Sequence, residues 1–255
     1  MVTIHPPMEL ILRTQSIERQ RIILTLGHRD NKSDLSPQYQ KGSGPQRAVP
    51  LPLRDKIMEK PLKKFTCLSG VAAPLALSNI DTDMVLPAQY MKGLTRKGLG
   101  NHLFQTARYR ADGSDNPGFI LNHPKCRDAE ILITDRNFGC GSSREHAVWA
   151  VADFGIRCII APSFGTIFAA NSRKNGLLLI TLPDAICHDL RELVVQSDYA
   201  PITIDLVNQK ITLASEQDIP FTIDENDRHI LLHGLDDISR SLQHITAIER
   251  FENAA

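Results

Sequence analysis

The strongest constraint on the fold is a strand, a glycine-rich turn and a helix laid end to end in the middle of the chain. Ala129-Glu130-Ile131-Leu132-Ile133-Thr134 is a short apolar run that reads as a buried strand. The turn is Asn137-Phe138-Gly139-Cys140-Gly141-Ser142-Ser143-Arg144, and after it Ala147, Val148, Val151 and Phe154 recur at helical spacing between Glu145 and Phe154. A second unit follows: Cys158-Ile159-Ile160-Ala161 reads as a strand, Thr166 to Asn175 as a helix and Leu177-Leu178-Leu179-Ile180 as another strand. Elements alternating in this way bury their apolar faces by stacking sheet on helix, which predicts an α/β layered domain.

On either side of this centre, the run from Phe65 to Ala73 predicts one strand, Ser78 to Asp83 a loop, and Leu103, Phe104, Ala107 and Tyr109 a helix before a loop at 111–118. Ile202 to Leu206 and Lys210 to Leu213 flank Asn208-Gln209 as a hairpin, a further strand is expected near Phe221-Thr222-Ile223, and the tail from Asp224 to Phe251 reads as mainly helical. Residues 1–60 differ. Pro6, Pro7, Pro37, Pro45, Pro50, Pro52 and Lys41-Gly42-Ser43-Gly44 interrupt any long pattern, so this stretch buries too little apolar surface to offset its ordering entropy. It is expected to be a disordered or mis-started extension, with Met58 as an alternative start and the domain at 61–255; the partial apolar stripe of Leu10, Ile11, Ile17, Ile22 and Leu24 leaves a short helix from Glu9 to Leu26 as the alternative for that stretch. Glu9, Glu18, Asp30 and Asp34 argue against a transit peptide.

Lys plus Arg equals Asp plus Glu at 29 each. No global field gathers nucleic acid or an anionic membrane, and any anion site must be local. The five cysteines (Cys67, Cys126, Cys140, Cys158 and Cys187) are scattered and form no C-x-x-C pair, which suits reduced thiols in a cytoplasmic protein. No apolar run approaches the roughly 20 residues that cross a bilayer. His229 and His233 sit at i, i+4 without a third ligand and read as a helix face, so no metal site is expected on the chain. Asp236-Asp237 and the charges around Arg191-Glu192 read as solvated surface.

The chemistry concentrates in the glycine-rich turn. Gly139 and Gly141 permit backbone angles and close ligand approach that side chains block. The free N–H groups at a helix start can hold an anion, and a guanidinium such as that of Arg144 grips a carboxylate with two donors. Ser142 and Ser143 either donate hydrogen bonds and move protons beside that anion, or simply cap the helix. The turn lacks the Gly-Lys-Ser/Thr of a nucleotide loop, G-x-G-x-x-G, and the G-x-S-x-G elbow.

Phe138-Gly139-Cys140-Gly141-Ser142-Ser143-Arg144-Glu145-His146-Ala147 resembles the signature of the swivelling domain of the aconitase superfamily, and Asn79-Ile80-Asp81-Thr82-Asp83-Met84-Val85-Leu86-Pro87 resembles its upstream companion. Gly100 to Phe104, Ala161 to Phe168 and Asn171 to Leu178 are similar to segments of the isopropylmalate dehydratase small subunits in that superfamily. The resemblance runs from about Phe65 to the C-terminus. It implies a layered β/β/α architecture and a hydro-lyase that interconverts 2-isopropylmalate and 3-isopropylmalate through an isopropylmaleate intermediate in leucine biosynthesis. Carried over by motif, it makes Ser142 the base, places Asp83 in the acid/base network, and assigns Ser143 and Arg144 to the substrate carboxylate. Gln89, Tyr90 and Met91 fall in the loop from Pro87 to Leu94 that would choose the substrate.

The same resemblance implies a 4Fe–4S cluster held by cysteines on a separate large subunit, because this chain has no closely spaced cysteine set; Cys140 is expected to be a buried small residue packing the turn. Ser163 lies outside the signature and is expected to matter little. Related hydro-lyases acting on citraconate, dimethylmaleate or homoaconitate would keep the same serine loop, and one methylene is worth only about 1–3 kcal/mol of discrimination. A noncatalytic RNA-binding module is the alternative of another class, and the balanced charge without a basic stripe counts against it.

Overall fold

The computed structural model describes residues 62–91 and 95–253. The expected extension, its short helix and Met58 lie outside the described residues, as do Lys92, Gly93 and Leu94 of the substrate-choosing loop.

Two four-stranded sheets are stacked. One is antiparallel, in the order β1 (Cys67–Gly70), β6 (Ile202–Asp205), β7 (Lys210–Thr212), β8 (Asp218–Pro220). The other is all parallel, in the order β2 (Ala72–Leu75), β3 (Ile131–Thr134), β4 (Cys158–Ala161), β5 (Leu178–Thr181). The long β2–β3 connection carries α1 (Thr82–Val85) and α2 (Gln105–Arg108). Then α3 (Glu145–Phe154) follows β3, α4 (Thr166–Lys174) follows β4, and α5 (Asp184–Gln196) follows β5. The tail holds α6 (Glu225–His233), α7 (Asp237–Leu242) and α8 (Ile245–Asn253).

The parallel strands are apolar apart from Thr134 and Thr181 at the ends of β3 and β5, because both faces of the sheet are covered. Leu132 and Ile159 point into a core shared with Ala147, Val148 and Val151 of α3 and with Leu103 and Phe104. Ile131, Ile133, Cys158 and Ile160 point the other way, onto Ile204 and Ile211 of the antiparallel sheet and onto Leu190 and Val194 of α5. Full burial of each such aliphatic side chain contributes about 1.5–3 kcal/mol. The antiparallel strands keep one wet face: Ile202 and Ile204 are buried while Thr203 and Asp205 are half-exposed. Helices, parallel sheet and antiparallel sheet make the α/β, β/β/α layering expected from the sequence.

Several local readings change. The run from Phe65 to Ala73 is two strands belonging to different sheets, divided at Val71. Their burial differs accordingly: Leu68 and Gly70 alternate with exposed Cys67 and Ser69, whereas Ala72, Ala73 and Leu75 are all buried. The helix expected through Leu103 and Phe104 is a 3-10 turn (Leu99–His102) followed by α2, broken at Phe104, whose φ is 51°. Phe104 accepts that backbone because its ring packs against Phe119 and Phe138, at centroid distances of 5.5 and 6.5 Å. The strand expected at Phe221–Ile223 pairs slightly earlier, at Asp218–Pro220, where Lys210 Nζ meets Asp218 Oδ2 at 2.8 Å.

Arg191 is not solvated surface. It is buried on α5, 2.6 Å from Asp135 Oδ1, and donates to the Thr134 carbonyl at 3.2 Å. The contact stakes down the exit of β3 just before the glycine-rich turn. Asp236 caps α7 by accepting from the Ser239 N–H at 2.6 Å, and Asp237 pairs with Lys174 at 3.4 Å.

Candidate active site

Loops leaving the carboxyl ends of β2, β3 and β4 meet side by side, the position at which open parallel sheets form their ligand crevices. Their joins are backbone bonds. Gly139 N donates to the Ile80 carbonyl at 2.7 Å and Thr82 N to the Cys140 carbonyl at 3.1 Å, tying the β2 loop to the β3 loop. Phe138 N donates to the Ser163 carbonyl at 3.1 Å and Gly165 N to the Phe138 carbonyl at 2.8 Å, tying β3 to β4. Asn79 and Asn137, both with positive φ, join through Asn137 Nδ2 and Asn79 Oδ1 at 2.8 Å.

Gly139 is required at its position twice over. Its φ is 74°, and a Cβ there would lie 2.2 Å from Phe168 Cγ. Phe168 is buried at the start of α4, edge-on to Phe138 at 5.2 Å, so it has no room to retreat. Gly139→Ala is therefore expected to cost about 1–3 kcal/mol of stability through overpacking, measurable as a lower denaturation midpoint with an unchanged slope.

On this frame the turn delivers the predicted residues to one rim. Arg144 is the N-cap of α3 and its Nη1 bonds to Asp83 Oδ1 on α1, so residues from separate motifs form one ion pair. Asp81 caps α1 by accepting from Met84 N at 2.7 Å. Thr82 Oγ1 donates to the Ser142 carbonyl at 3.3 Å, which holds the backbone of the turn. Ser142 and Ser143 are exposed, and among the described residues neither hydroxyl has a hydrogen-bond partner. The helix-cap reading of the two serines therefore fails: the cap residue is Arg144, with no side-chain cap bond. The arrangement offers a guanidinium, a carboxylate, two uncommitted hydroxyls and the open N–H end of a helix, a set suited to binding a carboxylate and moving a proton beside it.

The expected substrate-choosing residues lie on the 3-10 turn Ala88–Tyr90 and just after it. Gln89 is exposed, whereas Tyr90 stacks on His102 at 3.9 Å and Met91 packs against the domain core. Cys140 is half-buried, less enclosed than expected. Ser163 is a correction too: its Oγ accepts from Asn137 N at 2.9 Å, so this hydroxyl outside the signature supports the turn. The missed supports, Ser163, Gly165 and Phe168, all sit in the Ala161–Phe168 motif, whose match was visible while its purpose was not.

A cluster of three or more His, Cys, Asp or Glu side chains able to hold a metal does not occur among the described residues. Burial pushes the Cys126 and Cys187 thiols up to about 11 and raises that of Cys158 as well. These separate buried thiols do not fit the thiolate set of an iron–sulfur cluster. Among the described residues no helix is long and apolar enough to cross a membrane.

The sequence profile of the aconitase C-terminal domain matches residues 62–185. A 3-isopropylmalate dehydratase small subunit from Granulibacter bethesdensis is 51% identical over 191 residues, 75% of this chain and 91% of that protein. One from Dinoroseobacter shibae is 50% identical over 194 residues, covering 76% and 96%. Among solved structures, 3-isopropylmalate dehydratase from Methanocaldococcus jannaschii superposes with a TM-score of 0.53 at 25% identity, over 73% of this chain and 99% of that one.

Proposed function

The chain belongs to the family of 3-isopropylmalate dehydratase small subunits, and from that premise we propose that it is the proton-transfer and carboxylate-binding half of a cytoplasmic hydro-lyase in leucine biosynthesis. Its partner is a large subunit bearing the 4Fe–4S cluster, which supplies Lewis acidity toward the leaving hydroxyl. The substrate is 2-isopropylmalate, dehydrated and rehydrated to 3-isopropylmalate.

The observation that carries this reading is the convergence of Ser142, Ser143, Arg144 and Asp83 on one rim, with the two hydroxyls uncommitted and Arg144 already paired to a carboxylate. Arg144 and Ser143 grip a substrate carboxylate, and the planar guanidinium sets its plane. Ser142 accepts the proton from the carbon adjacent to the departing hydroxyl and returns a proton on rehydration. A free hydroxyl is a poor base, so its conjugate needs nearby positive potential; Arg144 and the open N–H end of α3 provide it. Asp83 holds Arg144 in place and belongs to the proton network.

The test is co-expression with a candidate large subunit and anaerobic assay of the complex and of the chain alone against 2-isopropylmalate, citraconate and homoaconitate. Turnover is expected only in the complex, and fastest on 2-isopropylmalate. A complex that prefers another of these diacids overturns the substrate assignment, and turnover by the chain alone overturns the division of labour.

A further inference from the structure

The segment Asn171-Ser172-Arg173-Lys174-Asn175-Gly176 lies outside the glycine-rich turn, yet one of its side chains reaches the turn's helix. Asn175 closes the C-terminal end of α4, with its backbone N–H directed at the Asn171 and Ser172 carbonyls at 3.2 and 3.1 Å. Its half-buried side-chain amide is fully engaged. Nδ2 donates to Glu145 Oε1 at 2.9 Å and to the Asn171 carbonyl at 2.8 Å, while Oδ1 accepts from Trp149 Nε1 at 3.0 Å. Both amide protons and the carbonyl are thus committed to a single orientation.

Glu145 is the first residue of α3 and directly follows Arg144; Trp149 lies one turn further on. The side chain of the α3 N-cap, Arg144, bonds to Asp83 and not to the N–H groups of its own helix, so the first turn lacks the usual local cap. Asn175 supplies one from a different element. The same α4 presses Phe168 against Gly139, so a single helix braces the turn both before and after its serines. Trp149 is held on other sides by the Arg96 guanidinium, 4.9 Å from the ring centroid, and by the His146 ring at 4.5 Å.

We propose that Asn175 is a positioning residue for the reaction: through Glu145 and Trp149 it fixes the first turn of α3 and thereby aims Arg144 at the substrate carboxylate. The inference rests on the assignment of Arg144 to that carboxylate. A displacement of about 1 Å at a binding group is enough to cost up to about 100-fold.

The experiment uses the two-subunit complex and whichever diacid the wild type turns over. Asn175→Ala and Glu145→Ala should each raise KM by about 10-fold with a much smaller change in kcat, and the double variant should be no worse than either single, because both remove the same link. The chain's sole tryptophan is Trp149, which gives a second readout. In the isolated chain, Asn175→Ala should shift its emission maximum, whereas Asn175→Asp keeps the acceptor for the indole N–H and should leave the emission in place while still raising KM. Additive KM effects of the two single variants, or lower thermal stability with KM unchanged, overturn the proposal. A wild-type complex inactive on every diacid instead defeats the functional reading itself, so the two failures are distinguishable.

Discussion

Replacing Ser142 by alanine in the two-subunit complex should lower kcat by about 10²–10⁴-fold, the range supplied by a general acid/base group, while KM changes little. The split follows from where the hydroxyl sits. It is exposed on the turn and has no partner among the described residues, so removing it deletes no packing and breaks no structural bond. The backbone of the turn is held independently, by Thr82 Oγ1 on the Ser142 carbonyl and by Gly139 N on the Ile80 carbonyl. Loss of rate with an intact fold and intact complex therefore reports on the chemical step. Steady-state kinetics with a thermal melt and a sizing column on the same sample make the check. If kcat stays near normal in a complex that assembles, Ser142 is not the base. Ser163→Ala, which sequence reasoning would choose as a neutral control, is unsuitable, since it removes the acceptor of the Asn137 N–H.

Arg144→Lys should raise KM by about 10- to 100-fold, with a smaller effect on kcat; this is the range for losing a hydrogen bond to a charged group, about 1.5–3 kcal/mol. Lysine keeps the positive charge, so simple Coulomb attraction to a dicarboxylate survives. What disappears is the planar fork. Arg144 already has one donor on Asp83, and its remaining donors point in fixed directions set by that contact. An ammonium on a flexible stem can serve Asp83 or the substrate but cannot hold both in one plane. Initial-rate kinetics across a range of 2-isopropylmalate concentrations tests this, and a KM unchanged by the substitution would remove Arg144 from the carboxylate site.

How much was legible in the sequence varied with the range of the interaction. The strands β3, β4 and β5, the helices α3 and α4 and the β6–β7 hairpin were read close to their observed bounds, since each is dictated by its own apolar spacing and turn residues. Failures came where a distant partner decided. Nothing local divides Phe65 to Ala73 into two strands; Gly70 pairs with Ile202 and Ala72 with Ile131, in two separate sheets. Nothing local marks Arg191 as buried, because its partner Asp135 lies on another element and compensates the charge.

The site follows the same division. By itself the sequence determined which residue types were available: glycines where side chains do not fit, two serines and an arginine at a helix start, and an Ile80-to-Asp83 motif upstream. Those are properties of short segments, encoded by backbone preference and spacing. Only the tertiary structure decided that Asp83 meets Arg144, that Ser163 and Phe168 support the turn, and that Asn175 grips Glu145. Those contacts join positions far apart in the chain: the first two sets exist because parallel strand pairing brings the carboxyl ends of β2, β3 and β4 together, and the grip of Asn175 on Glu145 exists because α4 packs against α3. Parallel pairing places successive loops at the same end of a sheet, so residues that share no local pattern become neighbours there.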